Sequence, residues 1–212
     1  LMMAIGGVAL ALGIQLPAGA VEGEQASASL RWVGCGISKK AYMTSLAKAY
    51  EAKTGVKIDI QGGGATRGIR DVAKGTADIG GSCRRHMRGT EEERGVTMIP
   101  VAWDALVVIV NRENPLDSIS MDNLRQVYLG EITNWQAPGG EYRPVTLLAR
   151  EGKISGLGRT TRKLLFGDYA PEFAAQPLFQ SSGPLAKQVE IDASAIGMTA
   201  VSRARTRHVK LM

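Results

Sequence analysis

Apolar residues in the first third of the chain change their spacing repeatedly, and these changes predict an order of elements. Leu30 to Val33 form a short apolar run, and apolar residues then recur at helical spacing from Tyr42 to Tyr50. Val56 to Ile60 alternate apolar with charged residues, as a half-buried strand does. A second helix over 69–73 and a third strand over 77–80 follow. The pattern predicts a β-α-β-α-β unit with a parallel sheet and right-handed crossovers.

The remainder of the chain continues this alternation loosely. Ala105 to Val110 form a continuous apolar run, which is typical of a strand covered on both faces. The following elements are predicted after it: a helix with Ser120 as its N-cap, a strand over Val145 to Leu148 that ends near Arg150, a helix from Ser182, and a strand over Ala195 to Met198. The fold class is therefore α/β.

The first three predicted strands all end in small, flexible residues. These ends are Gly34-Cys35-Gly36-Ile37-Ser38, the turn from Gly62 to Thr66, and Gly81-Ser82-Cys83. In a parallel sheet the carboxyl ends of the strands share one edge, and ligands bind there. Glycine turns that lead into helices present clustered amide N–H groups to anions, although each could also be a plain tight turn. We expect these turns to converge on one site.

The N-terminal stretch predicts export. Leu1 to Ala20 is almost entirely apolar and small, and Pro17-Ala18-Gly19-Ala20 is typical of a signal-peptide cleavage site. A polar spacer follows over 21–29. A membrane anchor or a buried helix is the alternative, but Gly6, Gly7, Gly13 and Pro17 make the stretch a poor long helix. At the other end, the chain stops at Met212 where a strand is beginning, so we expect further C-terminal residues.

Charge favours an anionic ligand or surface, because the net charge is +6. The basic residues concentrate over 84–88 and 203–210, and each run is either a solvated face or a binding patch. Aromatic residues do not interleave with these charges, so we expect no nucleic-acid partner. Two cysteines, Cys35 and Cys83, exclude a cysteine-based zinc cluster and either form one disulfide or remain thiols.

An enzyme is not predicted. The two histidines are His86 and His208, and Cys83 lies three residues before His86 without a carboxylate placed to orient the imidazole. The glycine-rich turn from Gly62 to Gly68 lacks the Gly-Lys-Ser/Thr ending of a nucleotide-binding P-loop. We therefore expect no catalytic residue, no cofactor and no metal site.

Four motifs in this order resemble the periplasmic phosphate-binding proteins of ABC transporters, within the type II periplasmic-binding-protein, or Venus flytrap, family. They are the segment from Tyr50 to Ile58, the segment from Gly75 to Gly80, the G-x-I-x-N-W-like run from Leu129 to Trp135, and Ala195-Ile196-Gly197. The resemblance covers roughly Leu30 to Met198.

This resemblance implies two α/β lobes joined by two crossovers, with an anion in the cleft between them. Residues 30–104 would form lobe 1, residues 105–194 lobe 2, and residues 195–212 would return to lobe 1. The implied function is the extracytoplasmic, for instance periplasmic, capture of phosphate or a related tetrahedral oxyanion for uptake through a membrane ABC permease, by a monomer. A ligand-sensing or scaffold protein with the same fold and no transport role is the alternative.

The resemblance also implies a set of ligand-binding residues in the loops around the cleft. Arg150 would pair with the anion, because its planar guanidinium can hold two oxygens at once, although an arginine at this point could also simply be exposed. Three extra residues, 152–154, precede the last loop of the set. The full set is Gly36, Ile37, Ser38, Ala65, Thr66, Cys83, Arg150, Ser155, Gly156 and Leu157.

Three positions depart from the family pattern. Ala65 stands where the family carries serine, Cys83 where it carries aspartate, and Leu157 where it carries threonine. The aspartate matters most, because an ionised carboxylate accepts the proton of hydrogen phosphate and repels an oxyanion without a proton. A thiol is a weak acceptor. The hypothesis is that this protein discriminates poorly between protonated and fully ionised anions, or prefers a different one.

Overall fold

A computed structural model describes residues 29–212, and the predicted signal peptide over 1–20 and nearly all of the predicted spacer lie outside the described residues. The first sheet has three parallel strands in the order β2-β1-β3. Its strands are β1 Ser29–Gly34, β2 Lys57–Gly62 and β3 Ile79–Gly81. The predicted β-α-β-α-β unit is confirmed.

The crossovers of this sheet are helical. The first begins with α1 Gly36–Ser38, continues through a π-helical turn Lys39–Met43 and ends as α2 Thr44–Thr54. The second is α3 Gly64–Ala73. The apolar spacing from Tyr42 to Tyr50 includes Leu46, which is 54% exposed in the structure, whereas Met43 and Ala47 are the buried residues of this crossover. A π turn accommodates an extra residue and so rotates the helix that follows it, which a uniform 3.6-residue period does not anticipate.

The second sheet has five strands in the order β6-β5-β7-β4-β8. Strands β5, β6 and β7 run parallel, whereas β4 is antiparallel to both β7 and β8. The strands are β4 Leu106–Asn111, β5 Thr146–Arg150, β6 Leu178–Phe179, β7 Ala195–Ala200 and β8 Val209–Leu211. The helices are α4 Met121–Leu129, α5 Gly156–Phe166, α6 Ser182–Ile191 and α7 Val201–Ala204.

Residues 195–212 do not return to the first sheet as the resemblance implied. Strand β7 lies between β4 and β5, and β8 pairs with β4, so both belong to the second sheet. Every residue of β7 is buried, and a strand covered on both faces needs a hydrogen-bonding neighbour on each edge. The predicted return to lobe 1 over this range was therefore wrong for the residues described.

The segment between β3 and β4 links the two sheets. It contains a 3₁₀ turn, Glu91–Glu93, and an extended stretch in which Ile99, Val101 and Trp103 are exposed. The predicted lobe boundary near Asp104 falls just before β4. Below, residues 29–105 are called the three-stranded half and residues 106–212 the five-stranded half.

The five-stranded half contains two apolar clusters. One includes Leu124, Trp135 and Ile196, and the other includes Leu148 and Leu185. Trp135 of the G-x-I-x-N-W-like motif is buried, and its Nε1 donates a hydrogen bond to the Ser194 carbonyl at 3.0 Å, so this motif serves the core. Among residues 29–212, no helix combines the length and apolar character that a membrane span requires.

Candidate functional site

The loops at the carboxyl ends of the first sheet meet the five-stranded half. Buried residues from both halves form one apolar cluster there, which we call the junction cluster: Cys35, Ile37, Ala65, Leu157 and Ala200, with Cys83 and Leu106 packed against it. The structure therefore brings together four of the predicted site residues, Ile37, Ala65, Cys83 and Leu157. Their side chains pack together across the two halves, so the contact between the halves is apolar at this point.

The two cysteines lie side by side in this cluster as free thiols. Their sulfur atoms are 3.1 Å apart. The backbone fixes the separation of the two residues, because β1 and β3 are hydrogen-bonded neighbours and the Cys35 amide donates to the Gly81 carbonyl at 2.8 Å. Of the two alternatives that the sequence left open, the structure shows the reduced one.

Cys83 also packs against the start of α5 in the opposite half. A Cβ atom on Gly156 would lie 2.2 Å from the Cys83 sulfur, which is an impossible contact. Only glycine fits at position 156 while the halves are in this arrangement. The predicted residue Gly156 thus contributes a close approach of the α5 backbone to the thiol pair.

The thiols share one hydrogen bond, and this separates their acidities. The hydrogen bond with Cys83 lowers the pKa of Cys35, with further help from backbone N–H groups of Ile37 and Ser38, and it outweighs the burial that opposes it. The same hydrogen bond and burial raise the pKa of Cys83. Arg150 lowers both pKa values by its positive charge. When the pair loses one proton, the thiolate is therefore on Cys35.

Arg150 is the last residue of β5, as predicted, and its guanidinium has unused hydrogen-bonding capacity. Nη1 donates to the Phe179 carbonyl at 2.6 Å. Nε is buried and has no hydrogen-bond partner among residues 29–212. Burial lowers the pKa of Arg150, while the nearby Cys35 and Cys83 oppose that shift. A buried guanidinium N–H without a partner is costly and is therefore a candidate contact for an anion.

The serine of the last predicted loop is a helix cap. The Ser155 hydroxyl accepts a hydrogen bond from the Gly158 amide at 3.1 Å and donates to the Gly152 carbonyl at 3.2 Å. Its side chain therefore stabilises the start of α5, which leaves the backbone amides of the first turn as the donors that this loop can offer. In the first loop, Ser38 is buried in α1 and Gly36 is exposed.

Thr66 connects the halves. Its hydroxyl donates to the Ile154 carbonyl at 2.7 Å, and the same carbonyl accepts a hydrogen bond from Arg84 Nε at 2.9 Å. Sequence reasoning missed this role of Arg84 and Ile154. The available signal was the three-residue extension over 152–154, which lengthens the loop far enough to reach the three-stranded half.

Arg84 was expected in a solvated face or binding patch, and the structure corrects both readings. Its side chain is buried and forms a two-pronged ion pair with Glu93, with Nη2–Oε1 at 2.6 Å and Nη1–Oε2 at 2.9 Å. Burial alone would raise the pKa of Glu93, but hydrogen bonds from Arg84 and the Met87 amide lower it overall. A carboxylate nine residues away decided the position of this arginine, and spacing alone does not reveal such a pairing.

A family model described as a PBP superfamily domain matches residues 22–211, nearly the whole chain. The protein belongs to the PBP superfamily. Among curated relatives of this PBP-superfamily chain, phosphate-binding protein PstS of Bacillus subtilis (strain 168) is 28% identical over 185 residues, which cover 84% of this chain and 59% of the relative. PstS 2 of Streptococcus pneumoniae is 36% identical over 99 residues, 46% of this chain and 33% of the relative. The chain thus spans a third to three fifths of the length of these relatives.

Solved structures give the same result for this PBP-superfamily chain. A Clostridium perfringens protein, described as a phosphate ABC transporter substrate-binding protein and solved with bound phosphate, has a TM-score of 0.78 at 26% identity, over 87% of this chain and 74% of that one. An ABC-type phosphate transport receptor from Vibrio cholerae has a TM-score of 0.62 at 25% identity, over 87% and 76%. The predicted type II periplasmic-binding-protein fold is confirmed.

The site offers little to a metal ion. In the part of the chain that the structure describes, no group of three or more histidine, cysteine or acidic side chains is arranged to hold one. The chemistry that the arrangement supports is charge-assisted hydrogen bonding from Arg150 and from helix N-termini, beside a titratable thiol pair.

Proposed function

We propose that this protein captures phosphate or a related tetrahedral oxyanion in the cleft between its two halves. The observation that carries the proposal is the half-buried Arg150 guanidinium, whose Nε atom is buried and has no partner among the described residues. It lies at the end of β5, close enough to the thiol pair of the opposite half to affect the acidity of both sulfurs. An oxyanion there would satisfy the free N–H and the charge together.

The neighbouring helices supply the remaining donors. Helices α3 and α5 begin at Gly64 and Gly156, next to the junction-cluster residues Ala65 and Leu157. The first amides of a helix have no intrahelical partner and lie at the positive end of its dipole, so they favour negative charge. Gly64 adopts φ of +88°, which lets the chain turn sharply from β2 into α3.

The biological role that we propose is that of an extracytoplasmic solute-binding protein which delivers the anion to a membrane ABC permease. The relatives are phosphate-binding proteins and the two structural neighbours are described as phosphate-transport proteins, which supports this role. We further propose that the two halves act as lobes that part and close around the anion, as is common for ligand-binding domains of this kind. The hydrogen bonds to the Ile154 carbonyl would form in the closed arrangement.

The selectivity of the site for phosphate over sulfate should be low, because Cys83 stands where the phosphate-binding proteins that this chain resembles carry aspartate. Without the carboxylate, the site keeps the Cys35 thiolate as a negative group near Arg150, and a thiolate is a weaker acceptor for the proton of hydrogen phosphate than a carboxylate is. We expect reduced protein at neutral pH to bind phosphate and sulfate with dissociation constants within about tenfold of each other, the factor produced by about 1.4 kcal/mol.

Calorimetric titration tests the site and its key residue. Substitution Arg150→Gln should weaken phosphate binding by at least about thirtyfold, because it removes the charged partner of a buried anion. Arg205→Gln is the matched control, since Arg205 is exposed and its loss changes the net charge equally. Unchanged phosphate binding in folded Arg150→Gln protein would refute the site.

Two other outcomes would change the function itself. Selectivity for phosphate over sulfate of more than about a hundredfold would contradict the low-selectivity inference, since that requires roughly 2.7 kcal/mol of discrimination. A ligand that binds the folded state raises the melting temperature by mass action. If no oxyanion in a panel raised it, the ligand-sensing or scaffold alternative would replace the proposal.

A further inference from the structure

The thiol pair is more than a packing feature of the junction cluster. We propose that Cys35 and Cys83 are a redox-sensitive pair, which a hydroperoxide converts into a disulfide, and that this conversion changes the charge that an anion meets in the cleft. The first part stands on the geometry of the pair alone. The second part rests on the proposed function.

Little movement separates the thiols from a bond. Their sulfur atoms are 3.1 Å apart, and a disulfide bond is about 2 Å long. The two residues lie just beyond the ends of neighbouring strands. Cys35 follows Gly34, the last residue of β1, and Cys83 comes two residues after Gly81, the last residue of β3. Gly34 pairs with Gly81 in the sheet. Side-chain rotation on a fixed sheet edge can therefore close the gap.

The chemistry balances with hydrogen peroxide as the oxidant. The Cys35 thiolate attacks one peroxide oxygen and the O–O bond breaks. Cys35 becomes a sulfenic acid, and hydroxide is the leaving group. The Cys83 thiol then attacks the Cys35 sulfur, the S–O bond breaks, and the departing hydroxide takes the Cys83 proton and leaves as water. The proton that Cys35 released when it became a thiolate converts the first hydroxide into the second water. Two thiols and one peroxide give one disulfide and two waters. The lowered pKa of Cys35 and the positive charge of Arg150 favour the attacking thiolate.

Oxidation would remove a charge from the cleft. In the reduced pair the negative charge of a Cys35 thiolate interacts with the positive charge of Arg150, which lowers the pKa of Cys35, so the thiolate would compete with an incoming anion for that charge. The disulfide is neutral, so this competition ends. Sulfate, which has no proton to donate to the thiolate, gains more from the change than hydrogen phosphate does. The redox state of the pair would therefore set the remaining selectivity of the site.

The bridge can be tested without any anion. The chain has two cysteines, so an intramolecular disulfide must join Cys35 to Cys83. Wild-type protein treated with hydrogen peroxide should lose two hydrogen atoms in mass and all titratable thiol, and remain monomeric without reductant. Cys83→Ser protein should instead yield a sulfenic acid that dimedone traps at Cys35. Wild-type protein that keeps both thiols, or forms sulfinic acid instead of the bridge, would overturn the proposal.

The charge effect is tested by titrating sulfate and phosphate into oxidised and reduced wild-type protein at mildly alkaline pH. Oxidation should lower the dissociation constant of sulfate about fivefold and that of phosphate by less than about twofold, as expected for removal of one nearby screened charge. Identical selectivity in the two redox states would overturn the charge effect. If neither form bound any oxyanion, the proposed function would fail together with the charge effect, and the mass measurement would still decide the bridge.

Discussion

The two halves of this protein differ in the side chains that they bury. In the five-stranded half, all of β7 is buried and two apolar clusters cover the sheet. The one buried arginine among the described residues of this half, Arg162, donates to the backbone carbonyls of Pro171 and Gly158 and has no buried carboxylate as partner. In the three-stranded half, the main apolar cluster consists of Trp32, Met43 and Ala47, and the largest buried groups beside it include the charged Arg84 and Glu93. Apolar burial stabilises a fold without geometric conditions, whereas a buried ion pair stabilises it only while both partners remain in place.

The three-stranded half has the smaller apolar core of the two. The five-stranded half holds its own core, while the three-stranded half completes its packing at the junction cluster and through the Ile154 carbonyl. If the halves moved apart, the three-stranded half would expose the apolar residues of the junction cluster and lose its hydrogen bonds to the Ile154 carbonyl. Three substitutions test this comparison.

The largest effect is expected in the apolar core of the five-stranded half. Ile196→Ala should lower the free energy of unfolding by about 4 kcal/mol, because it leaves a cavity in a fully buried strand. Ile191→Ala, at a position 67% exposed in the same half, should cost less than about 1 kcal/mol. Urea unfolding measures both. Similar losses for the two variants would contradict the assignment of stability to this core.

The second effect concerns the ion pair of the three-stranded half. Glu93→Gln should cost about 3 kcal/mol at neutral pH, because it leaves Arg84 buried without its counter-charge. Glu91→Gln is the control, since Glu91 is exposed and its pair with Arg94 is a surface contact of little value. Equal unfolding free energies for these two variants would show that the pair does not hold the three-stranded half.

At low pH, the difference in unfolding free energy between wild type and Glu93→Gln should disappear. The pKa of Glu93 is lowered in the folded protein, so its contribution is complete above the pKa of an unfolded glutamate and is lost as the pH falls through the folded value. The gap between wild type and Glu93→Gln should therefore narrow as the pH falls through that value. A gap that stays constant into strong acid would exclude ionised Glu93 as its cause.

The smallest effect is expected at the contact between the halves. Thr66→Val removes the hydrogen bond to Ile154 and should cost about 1 kcal/mol. Thr44→Val removes a hydroxyl that bonds the Lys39 carbonyl within one exposed helix, where water can replace it, and should cost less. If scanning calorimetry gave the two variants the same melting temperature, the contact between the halves would contribute no more than a helical surface bond.

The sequence predicted that several residues lie together in the candidate site, but it did not predict the hydrogen-bond partners of their side chains. Arg150 does end a strand, and Ile37, Ala65, Cys83 and Leu157 do meet. However, residue types did not predict that the Thr66 hydroxyl donates to the Ile154 carbonyl or that the Ser155 hydroxyl caps α5. A hydroxyl bonds whichever partner lies nearest in space, and neither partner can be identified from residue types along the chain.

The sequence alone predicted the first β-α-β-α-β unit and several later elements in the right order, but it did not predict helices α5 and α7 or strand β6. Local rules act over a few residues, so the periodic runs, the Ser120 cap and the glycine turns predicted the β-α-β-α-β unit and the α/β class correctly. Only the tertiary structure decided that β7 and β8 belong to the second sheet, that Arg84 is buried against Glu93 and that two thiols 48 residues apart lie 3.1 Å from each other. These facts depend on packing between distant segments, where burial and pairing of whole elements outweigh the preferences of any one residue.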